Sequence, residues 1–361
     1  MLRFLLLASI LAAAVTAGAQ APSPAASTPP MRPYGLVLHG GAGVIQREQM
    51  TPEREAEYRA KLAEALAAGY AVLERGGPAL DAVIATVNVL EDSPLFNAGK
   101  GAVFNADGIC ELDASIMDGA TRRAGAIAGV RHIRNPINLA RDVMEKSPHV
   151  LLIGEGAEKF AWSLGYERVE NAYFQTEFRR RQLERAKQRE QNPERHSASA
   201  PTDLSTPGVS DEAWFTREQK YGTVGCVALD RQGNLAAGTS TGGMTNKKFG
   251  RVGDVPVIGA GTYAHNATCA ISATGWGEFF IRATVAHDIA AQMEYASRDL
   301  NSAAAATLAK VAELGGDGGV IGLDRDGNLM MDFNSAGMYR AYRLSHRPDP
   351  VVAIYGHEPR R

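Results

Sequence analysis

The sequence predicts an α+β protein built in layers, and two observations carry that prediction. Segments with apolar residues every three to four positions, as in helices, are grouped before and after stretches that alternate around Asp/Asn/Gly turns. Two of these stretches are near duplicates, Val-Ala-Leu-Asp-Arg-Gln-Gly-Asn-Leu at 227–235 and Ile-Gly-Leu-Asp-Arg-Asp-Gly-Asn-Leu at 321–329. Such turns indicate antiparallel hairpins rather than alternating β-α-β units.

Six helices are predicted from the apolar spacing and from start and stop signals. The first begins at Thr51, because a threonine followed by Pro52 is typical of a helix start, and it ends at the glycine pair 76–77. The second covers about 78–90 and has a broad apolar face. The remaining four are predicted at 136–146, 156–164, 278–296 and 301–314.

Hairpins are predicted at 227–235 and 321–329, with a looser third at 103–109. The spacing Asp324-x-Asp326-x-Asn328 also resembles the start of a calcium-binding loop. However, Leu329 stands at the sixth position, where such a loop requires glycine. We therefore predict a hairpin turn at this place and no calcium site.

The first 19 residues predict a secretory signal peptide. Arg3 precedes an apolar run at 4–17, and Ala-Gly-Ala at 17–19 fits a cleavage site. Residues 20–33, rich in Pro, Ala and Ser, are predicted to be a flexible linker. Because the apolar run is short for a membrane span, we expect export to the periplasm or the medium and no membrane segment in the mature form. An uncleaved anchor is the alternative.

Composition excludes some partners and metal sites. The chain has 361 residues, enough for one large or two modest domains, and a formal net charge of −2, so no overall basic field attracts nucleic acid. The Arg-rich stretch 177–196 is interspersed with Glu, which favours a solvated helix, and 178–222 is predicted to be a mobile tail. The three cysteines lie far apart without zinc spacing, so we expect buried thiols.

Gly222-Thr223 is the pair from which a chemical function is predicted. A cut before Thr223 would give one residue a hydroxyl nucleophile and a free α-amine as base. The mobile tail before Gly222 is a segment where a cut is tolerated. Thr223 also opens the hairpin whose second strand ends near 238–243, so Thr241 is expected to return beside it. An ordinary strand start is the alternative.

Two further pairs supply groups that such a nucleophile needs. Arg251 offers a planar fork for a carboxylate and Asp254 a partner for an ammonium group, which suits an amino-acid head group. The Thr274 hydroxyl and the Gly275 N–H are candidate donors to a developing oxyanion. The alternatives are a surface ion pair and a turn before a helix.

A serine esterase is a rival interpretation. Gly-Thr-Ser-Thr-Gly at 238–242 fits a nucleophile elbow around Ser240, and His39-Gly-Gly resembles an oxyanion loop. An elbow requires a helix directly after its serine, but 242–250 contains three glycines and has no helical period. The sequence also contains no P-loop and no His-Glu-x-x-His motif.

Ten stretches, in order, resemble the plant-type asparaginases, also called isoaspartyl peptidases, within the N-terminal-nucleophile hydrolases. Together they span nearly the whole chain after the signal peptide. The stretches are 39–43, 90–101, 111–119, 135–136, 147–150, 222–225, 240–247, 250–254, 259–264 and 274–278. The resemblance implies a four-layer αββα sandwich and an enzyme that releases L-aspartate from β-aspartyl dipeptides and from L-asparagine.

The resemblance also implies how the chain is processed and assembled. A cut between Gly222 and Thr223 would give an α subunit, 34–222, and a β subunit, 223–361, which stay together and pair as an (αβ)2 dimer. Thr223 would be the nucleophile, with Thr241 tuning it and Asn97 positioning it. The other implied site residues are Arg251, Val252, Gly253 and Asp254 for the substrate head group, Thr274 and Gly275 for the oxyanion, and Trp276 and Gly277 for the pocket.

No organic cofactor is expected, but the resemblance implies a structural sodium ion. Its ligands would be the backbone carbonyls of Leu90, Glu91, Ser93, Phe96, Ala98 and Lys100. Carbonyl oxygens suit a hard cation.

Two alternatives remain open on the sequence alone. An aspartylglucosaminidase would share the fold and the cut, although its nucleophile usually follows an aspartate and here follows Gly222. A non-catalytic amino-acid-binding protein could use Arg251 and Asp254 alone. The sequence does not rank β-aspartyl dipeptides against asparagine.

Overall fold

A computed structural model describes residues 32–43, 45, 47–191 and 222–358. The predicted signal peptide (1–19), residues 20–31 of the predicted linker and residues 192–221 of the predicted tail lie outside this described part. The first part of that tail, up to Gln191, is helical. Across the described residues, no helix combines the length and the apolar character that a membrane crossing requires.

Twelve strands and eight α-helices make up the described part of the chain. The strands are β1 (Gly35–Gly43), β2 (Leu112–Asp118), β3 (Ala124–Val130), β4 (Leu151–Ile153), β5 (Val224–Leu229), β6 (Leu235–Thr241), β7 (Thr262–Ala264), β8 (Cys269–Gly275), β9 (Gly318–Asp324), β10 (Leu329–Phe333), β11 (Gly337–Leu344) and β12 (Arg347–Tyr355). The helices are α1 (Pro52–Glu74), α2 (Ala79–Glu91), α3 (Pro136–Lys146), α4 (Gly154–Ser163), α5 (Glu177–Gln191), α6 (Gly277–Ala283), α7 (Val285–Ala296) and α8 (Leu300–Glu313).

The strands form two sheets. One has the order β12-β11-β1-β5-β6-β2-β3-β4, and the other has the order β10-β9-β8-β7. Strands β3 and β4 pair in parallel, whereas the other paired neighbours are antiparallel. The predicted α+β class is therefore confirmed.

Alternation along the strands divides the buried side chains between two cores. In β5, Val224, Cys226 and Ala228 join the core that includes apolar residues of α1, α2 and α3. Val227 and Leu229 point the other way and join the core that includes apolar residues of the second sheet, α7 and α8. Because both of its faces are covered, β5 is a rigid base for the residue that precedes it, Thr223.

Most predicted helices lie where the sequence indicated. The Thr51 hydroxyl accepts the N–H of Arg54, and Pro52 begins α1. The bounds of α2, α4 and α8 differ from the predicted bounds by one or two residues.

The single helix predicted at 278–296 is wrong. Thr284 has a left-handed backbone (φ 47°) and separates α6 from α7. The N–H groups of Ala286 and His287 bind the carbonyls of Ala260 and Gly259 instead of the preceding helical turn. A contact distant in sequence thus overrides the local helical spacing.

Two of the three predicted hairpins are confirmed, β5–β6 and β9–β10. In the second turn, Asp324 Oδ1 accepts the N–H groups of Asp326 and Asn328, as expected for a hairpin turn. The looser hairpin predicted at 103–109 does not form two strands, since the described residues there show an isolated antiparallel bridge between Phe104 and Cys110 and an isolated parallel bridge from Asn105 to Lys247. The Asn105 side chain accepts two nearby backbone N–H groups and closes a short turn instead.

The three cysteines are free and buried, as predicted. Burial raises the pKa of the Cys110, Cys226 and Cys269 thiols to about 12. These thiols are therefore not reactive nucleophiles at neutral pH.

Candidate active site

Thr223 lies immediately before β5 and is buried. Because β5 and β6 pair with Val224 opposite Ser240, the end of β6 lies beside the start of β5. The Thr223 hydroxyl donates to Thr241 Oγ1 at 3.1 Å. The structure thus brings the two threonines together as the hairpin predicted.

The carbonyl of Gly222 receives two hydrogen bonds. Asn97 Nδ2 donates to it at 2.8 Å, and Thr241 Oγ1 donates to it at 3.1 Å. Asn97 is itself oriented, because its Oδ1 accepts the N–H of Val103 at 2.9 Å and its Nδ2 also donates to the Gly243 carbonyl at 2.8 Å. Two fixed donors therefore polarise the carbonyl of the Gly222–Thr223 peptide bond.

Gly41 makes room for this peptide. Its φ is +114°, and a Cβ placed on it would lie 3.2 Å from Gly222 Cα and 3.4 Å from Thr223 N. A residue with a side chain would therefore be strained here and would crowd the peptide bond before Thr223.

His39 has a role that could not be predicted from the sequence, because its contacts are to residues distant along the chain. The imidazole of His39 is fully buried, with Nδ1 3.0 Å from the Thr223 carbonyl oxygen and Nε2 2.9 Å from Ser272 Oγ. Burial lowers the pKa of His39 to about 3, so the ring is neutral. Since a carbonyl only accepts, Nδ1 carries the proton and Nε2 accepts from the serine.

From His39, a chain of buried hydroxyl groups continues between the two sheets. Ser272 Oγ lies 2.7 Å from Thr239 Oγ1, which lies 2.5 Å from Thr262 Oγ1. Ser115 Oγ lies 2.8 Å from Thr262 Oγ1 and 2.6 Å from the carbonyl oxygen of Val255. This series of hydrogen bonds thus links the Thr223 carbonyl to the carbonyl of Val255, the residue that follows Asp254. The pattern in the sequence that could have indicated this network is a set of serine and threonine residues at strand positions that face the other sheet.

Arg251 has a partner that the sequence did not predict, Glu278. The guanidinium donates from Nε and Nη2 to the two carboxylate oxygens of Glu278, at 2.9 and 2.8 Å. Its Nη1 is directed toward Gly243 and Gly253, because Cβ atoms placed there would lie 3.6 and 2.9 Å from it. Glu278 thus fixes one edge of the guanidinium, that of Nε and Nη2, while Nη1 lies toward the two glycines, which line a pocket.

Asp254 is buried beside Arg251. Burial raises the pKa of Asp254 to about 7, although Arg251 acts in the opposite direction. Its Oδ2 has no hydrogen-bond partner among the described residues. A Cβ on Gly277 would lie 2.8 Å from Arg251 Nη2 and 2.9 Å from Asp254 Oδ1, so only glycine leaves both groups accessible from that side. The arrangement suits a ligand that carries an ammonium group.

The nucleophile and this charged pair share one narrow pocket, with a free volume of about 10 Å³. Its lining comprises Gly222, Thr223, Thr241, Gly243, Met244, Arg251, Gly253, Asp254, Val255 and Gly275. Seven of the predicted site residues therefore meet at this point. Because Gly222 itself forms part of the wall, the pocket is narrow while the chain is continuous.

The remaining predicted site residues lie around this pocket. Thr274 is fully buried at the end of β8, where its Oγ1 accepts the Ala42 N–H at 3.3 Å. Trp276 precedes α6, and its ring meets the Phe279 ring edge-to-face. The side chain of Val252 is exposed by 39% and is not part of the pocket lining.

The loop after α2 folds back on its own carbonyl groups. The N–H of Lys100 donates to the Glu91 carbonyl at 2.7 Å. At Gly101 (φ +101°), a Cβ would lie 2.6 and 2.7 Å from the carbonyl oxygens of Pro94 and Phe96. The Lys100 ammonium lies over the Tyr173 ring, 5.7 Å from its centre. The carbonyl oxygens of Pro94 and Phe96 thus converge on a space that admits no side chain at Gly101. Carbonyl oxygens in such a place suit a hard cation.

The structure excludes the esterase interpretation. Ser240 is buried inside β6, and its hydroxyl donates to Glu91 Oε1 at 2.6 Å. Strand β6 continues to Thr241 and is followed by a loop rather than a helix. Ser240 therefore has neither the exposure nor the turn of an elbow nucleophile.

Comparison with known proteins agrees with this geometry. The family model described as Asparaginase matches residues 31–352. The chain is 51% identical to an isoaspartyl peptidase of Escherichia coli (strain K12) over 321 residues, which cover 89% of this chain and 95% of the relative. It is 39% identical to an isoaspartyl peptidase/L-asparaginase of Danio rerio over 303 residues, 84% of this chain and 90% of the relative. The similar protein of Rattus norvegicus is 41% identical over 303 residues, 84% of each chain. The chain belongs to the asparaginase family.

Proposed function

We propose that this protein is a threonine hydrolase that releases L-aspartate from β-aspartyl dipeptides and from L-asparagine. The observation that carries the proposal is the single pocket whose lining combines Thr223 with Arg251 and Asp254. The names of the relatives, isoaspartyl peptidase and L-asparaginase, support this substrate class.

The first reaction in this proposal is a cut of the chain itself. Thr223 Oγ attacks the carbonyl carbon of Gly222, the C–N bond breaks, the hydroxyl proton moves to the Thr223 nitrogen, and the acyl group is carried on the oxygen as an ester. Water then hydrolyses the ester, which leaves a carboxylate on Gly222 and a free amine on Thr223. The donors on the Gly222 oxygen, Asn97 and Thr241, support this step, because that oxygen becomes negative in the transition state.

The second reaction is turnover of the substrate. The freed amine of Thr223, with an ordinary pKa of about 7.7–8.0, accepts the hydroxyl proton as Oγ attacks the side-chain amide carbon of the substrate. Thr274 and Gly275 stabilise the oxyanion, and ammonia or an amino acid leaves with the proton. Water then attacks the acyl-enzyme ester and releases aspartate, which restores the Thr223 hydroxyl.

The substrate head group is held at the other end of the pocket. Arg251, oriented by Glu278, binds the α-carboxylate, and Asp254 binds the α-ammonium group. The unpartnered Oδ2 of Asp254 supports this role, since a buried carboxylate oxygen without a donor is costly until a ligand supplies one. Gly253 and Gly277 keep side chains away from these groups, and Val252 and Trp276 flank them in sequence.

Assembly follows the same proposal. We infer that the two sheets and the two cores form a four-layer αββα sandwich, cut into subunits 34–222 and 223–361 and paired as an (αβ)2 dimer. A sodium ion held by carbonyls of the loop at 90–100 would stiffen the segment that carries Asn97. Its proposed ligands are the carbonyls of Leu90, Glu91, Ser93, Phe96, Ala98 and Lys100. Export through residues 1–19, to the periplasm or the medium, also belongs to this proposal.

A direct test uses the purified full chain and its Thr223→Ala variant. Intact mass should show two pieces for the parent, separated by a cut between Gly222 and Thr223, and one piece for the variant. The parent should hydrolyse β-Asp-Leu and L-asparagine, and the variant should hydrolyse neither. A glycosylated asparagine serves as a third substrate, and preference for it would favour the aspartylglucosaminidase alternative. One band without turnover in the parent would favour the amino-acid-binding alternative.

A further inference from the structure

Phe249 occupies an unfavourable position in two respects. Its side chain is fully exposed, the most exposed large apolar side chain among the described residues. Its backbone has φ 58°, a left-handed conformation that is strained for a bulky residue. Neither feature contributes to folding, because the ring is surrounded by solvent. Strain and apolar exposure in one residue indicate a contact that the free protein does not make.

A tight turn holds Phe249 in this position. The N–H of Arg251 donates to the carbonyl of Lys248 at 3.0 Å and closes a four-residue turn. Both central residues, Phe249 and Gly250, have positive φ, at 58° and 69°. Glycine, asparagine and aspartate dominate such turns, so a phenylalanine at this point is unusual. The turn ends at Arg251 and so fixes the ring two residues from the substrate clamp.

A pocket of about 430 Å³ lies beside this turn. Residues 247–250 form part of its wall, and Asn105, Asp107, Glu111 and Arg131 form much of the remainder. The charged lining comprises three cations, Arg131, Lys247 and Lys248, against two carboxylates. Glu111 pairs with Arg131 at 2.6 Å and with Lys247 at 3.9 Å, so Lys248, the more exposed of the two lysines, is the lysine that an added anionic group would approach. The volume of the pocket is sufficient for one amino acid.

Only a thin partition separates this pocket from the catalytic pocket. A Cβ placed on Gly243, which lines the catalytic pocket, would lie 3.0 Å from Lys247 Nζ and 3.6 Å from Arg251 Nη1. Lys247 is buried and held by the Glu111 carbonyl, to which its Nζ donates at 3.1 Å. Lys248 is more exposed and pairs with Glu190 at the end of α5. Gly243 also lies beside the nucleophile, because its N–H donates to Thr241 Oγ1 at 3.0 Å and its carbonyl accepts from Asn97 at 2.8 Å. A group that leaves from Thr223 therefore departs next to this partition, and Lys248 and Phe249 lie on its other side.

We propose that the pocket beside the turn 248–251 is the subsite for the leaving group of β-aspartyl dipeptides. Phe249 packs against the side chain of the released amino acid, and Lys248 faces its carboxylate. This inference rests on the proposed function and deepens it, since it names which part of the substrate the pocket reads. L-Asparagine, whose leaving group is ammonia, does not reach the subsite.

Two substrates that share the aspartyl half provide the test. In Phe249→Asn, which removes the ring but tolerates a positive φ, kcat/KM for β-Asp-Leu should fall about tenfold, mainly through KM. The same variant should hydrolyse L-asparagine as fast as the parent, and its Tm should rise because the strain is relieved. Phe249→Leu should recover most of the dipeptide activity.

Controls separate the subsite from the rest of the enzyme. Tyr295→Ala removes another exposed aromatic ring, on α7, and should leave kcat/KM unchanged for both substrates. Lys248→Met should weaken turnover of β-Asp-Leu but not of its C-terminal amide. Equal losses for dipeptide and asparagine, or no loss for the dipeptide in Phe249→Asn, would overturn the subsite. Asparagine turnover by the parent reports on the proposed function separately.

Discussion

The imidazole of His39 donates a hydrogen bond from Nδ1 to the carbonyl oxygen of Thr223, over 3.0 Å. Backbone pairing between β1 and β5 ends at His39 and Gly225, and β1 has an irregularity directly after His39. The His39 side chain therefore makes the next contact between β1 and the chain that enters β5, beyond the point where their backbone pairing ends. After a cut before Thr223, this bond would hold the new chain end, which would otherwise be free to fray.

His39 should therefore act as a positioning residue. His39→Leu removes the donor, and we expect kcat to fall about 10–100-fold with a small change in KM, because a displaced nucleophile loses its line of attack. His39→Asn keeps an N–H toward the Thr223 carbonyl and should retain more activity. Thermal unfolding of both variants reports any loss of stability separately. Equal activity in the two variants would contradict the role.

Asn97 should accelerate the cut of the chain. Asn97→Asp keeps an oxygen for the Val103 N–H but removes the donor to the Gly222 carbonyl. We expect processing to slow about 10²–10³-fold, the usual effect of losing one oxyanion donor, as followed on a denaturing gel over time. Asn171→Asp is the matched control, since Asn171 makes similar backbone bonds around Cys110 and none to Gly222. Processing at the parent rate in Asn97→Asp would exclude the donor role.

Asp254 should make substrate capture sensitive to acid. Burial raises the pKa of Asp254 to about 7, and only the ionised form attracts the substrate's ammonium group. As the pH falls below about 7, the ionised fraction falls, so kcat/KM should fall with it. The ratio of kcat/KM between the parent and Asp254→Asn isolates this group from the Thr223 amine, which both enzymes share. A ratio that does not change between pH 5 and 8 would contradict the assignment.

Thr284 should limit stability. It is exposed and has φ 47°, a left-handed conformation that is unfavourable for a β-branched residue. Thr284→Gly should raise the free energy of unfolding by about 1 kcal/mol, measured by urea denaturation. The neighbouring control Ala283→Gly, at the last residue of α6, should lower it by about 0.5–1 kcal/mol. Destabilisation in both variants would show that the Thr284 side chain contributes more than its backbone costs.

Features determined by neighbouring residues could be predicted from the sequence. The cap at Thr51 and the turn at Asp324 depend on side chains that bind backbone groups two to four residues away. The approach of Thr241 to Thr223 follows from one short hairpin turn. In each case the local pattern and the final fold agree.

Features that depend on distant contacts could not be predicted. The break at Thr284 is stabilised by carbonyls of Gly259 and Ala260, which the helical spacing does not report. The pairing of Arg251 with Glu278 joins a loop to the first turn of α6, 27 residues away, whereas the sequence offered the nearer Asp254. The contact between His39 and Ser272 crosses from one sheet to the other. Tertiary packing, rather than residue preference, sets these three features.

The order of strands in the larger sheet limits what a cut at Gly222–Thr223 could do to the molecule. Across that sheet, two strands from after the cut (β12, β11) are followed by one from before it (β1), two from after (β5, β6) and three from before (β2, β3, β4). The two pieces would thus alternate within one hydrogen-bonded sheet. Neither could leave without breaking the hydrogen bonds between β11 and β1, between β1 and β5, and between β6 and β2. Each mature molecule would keep the two pieces it was made with, so mixing two folded variants would not exchange their halves.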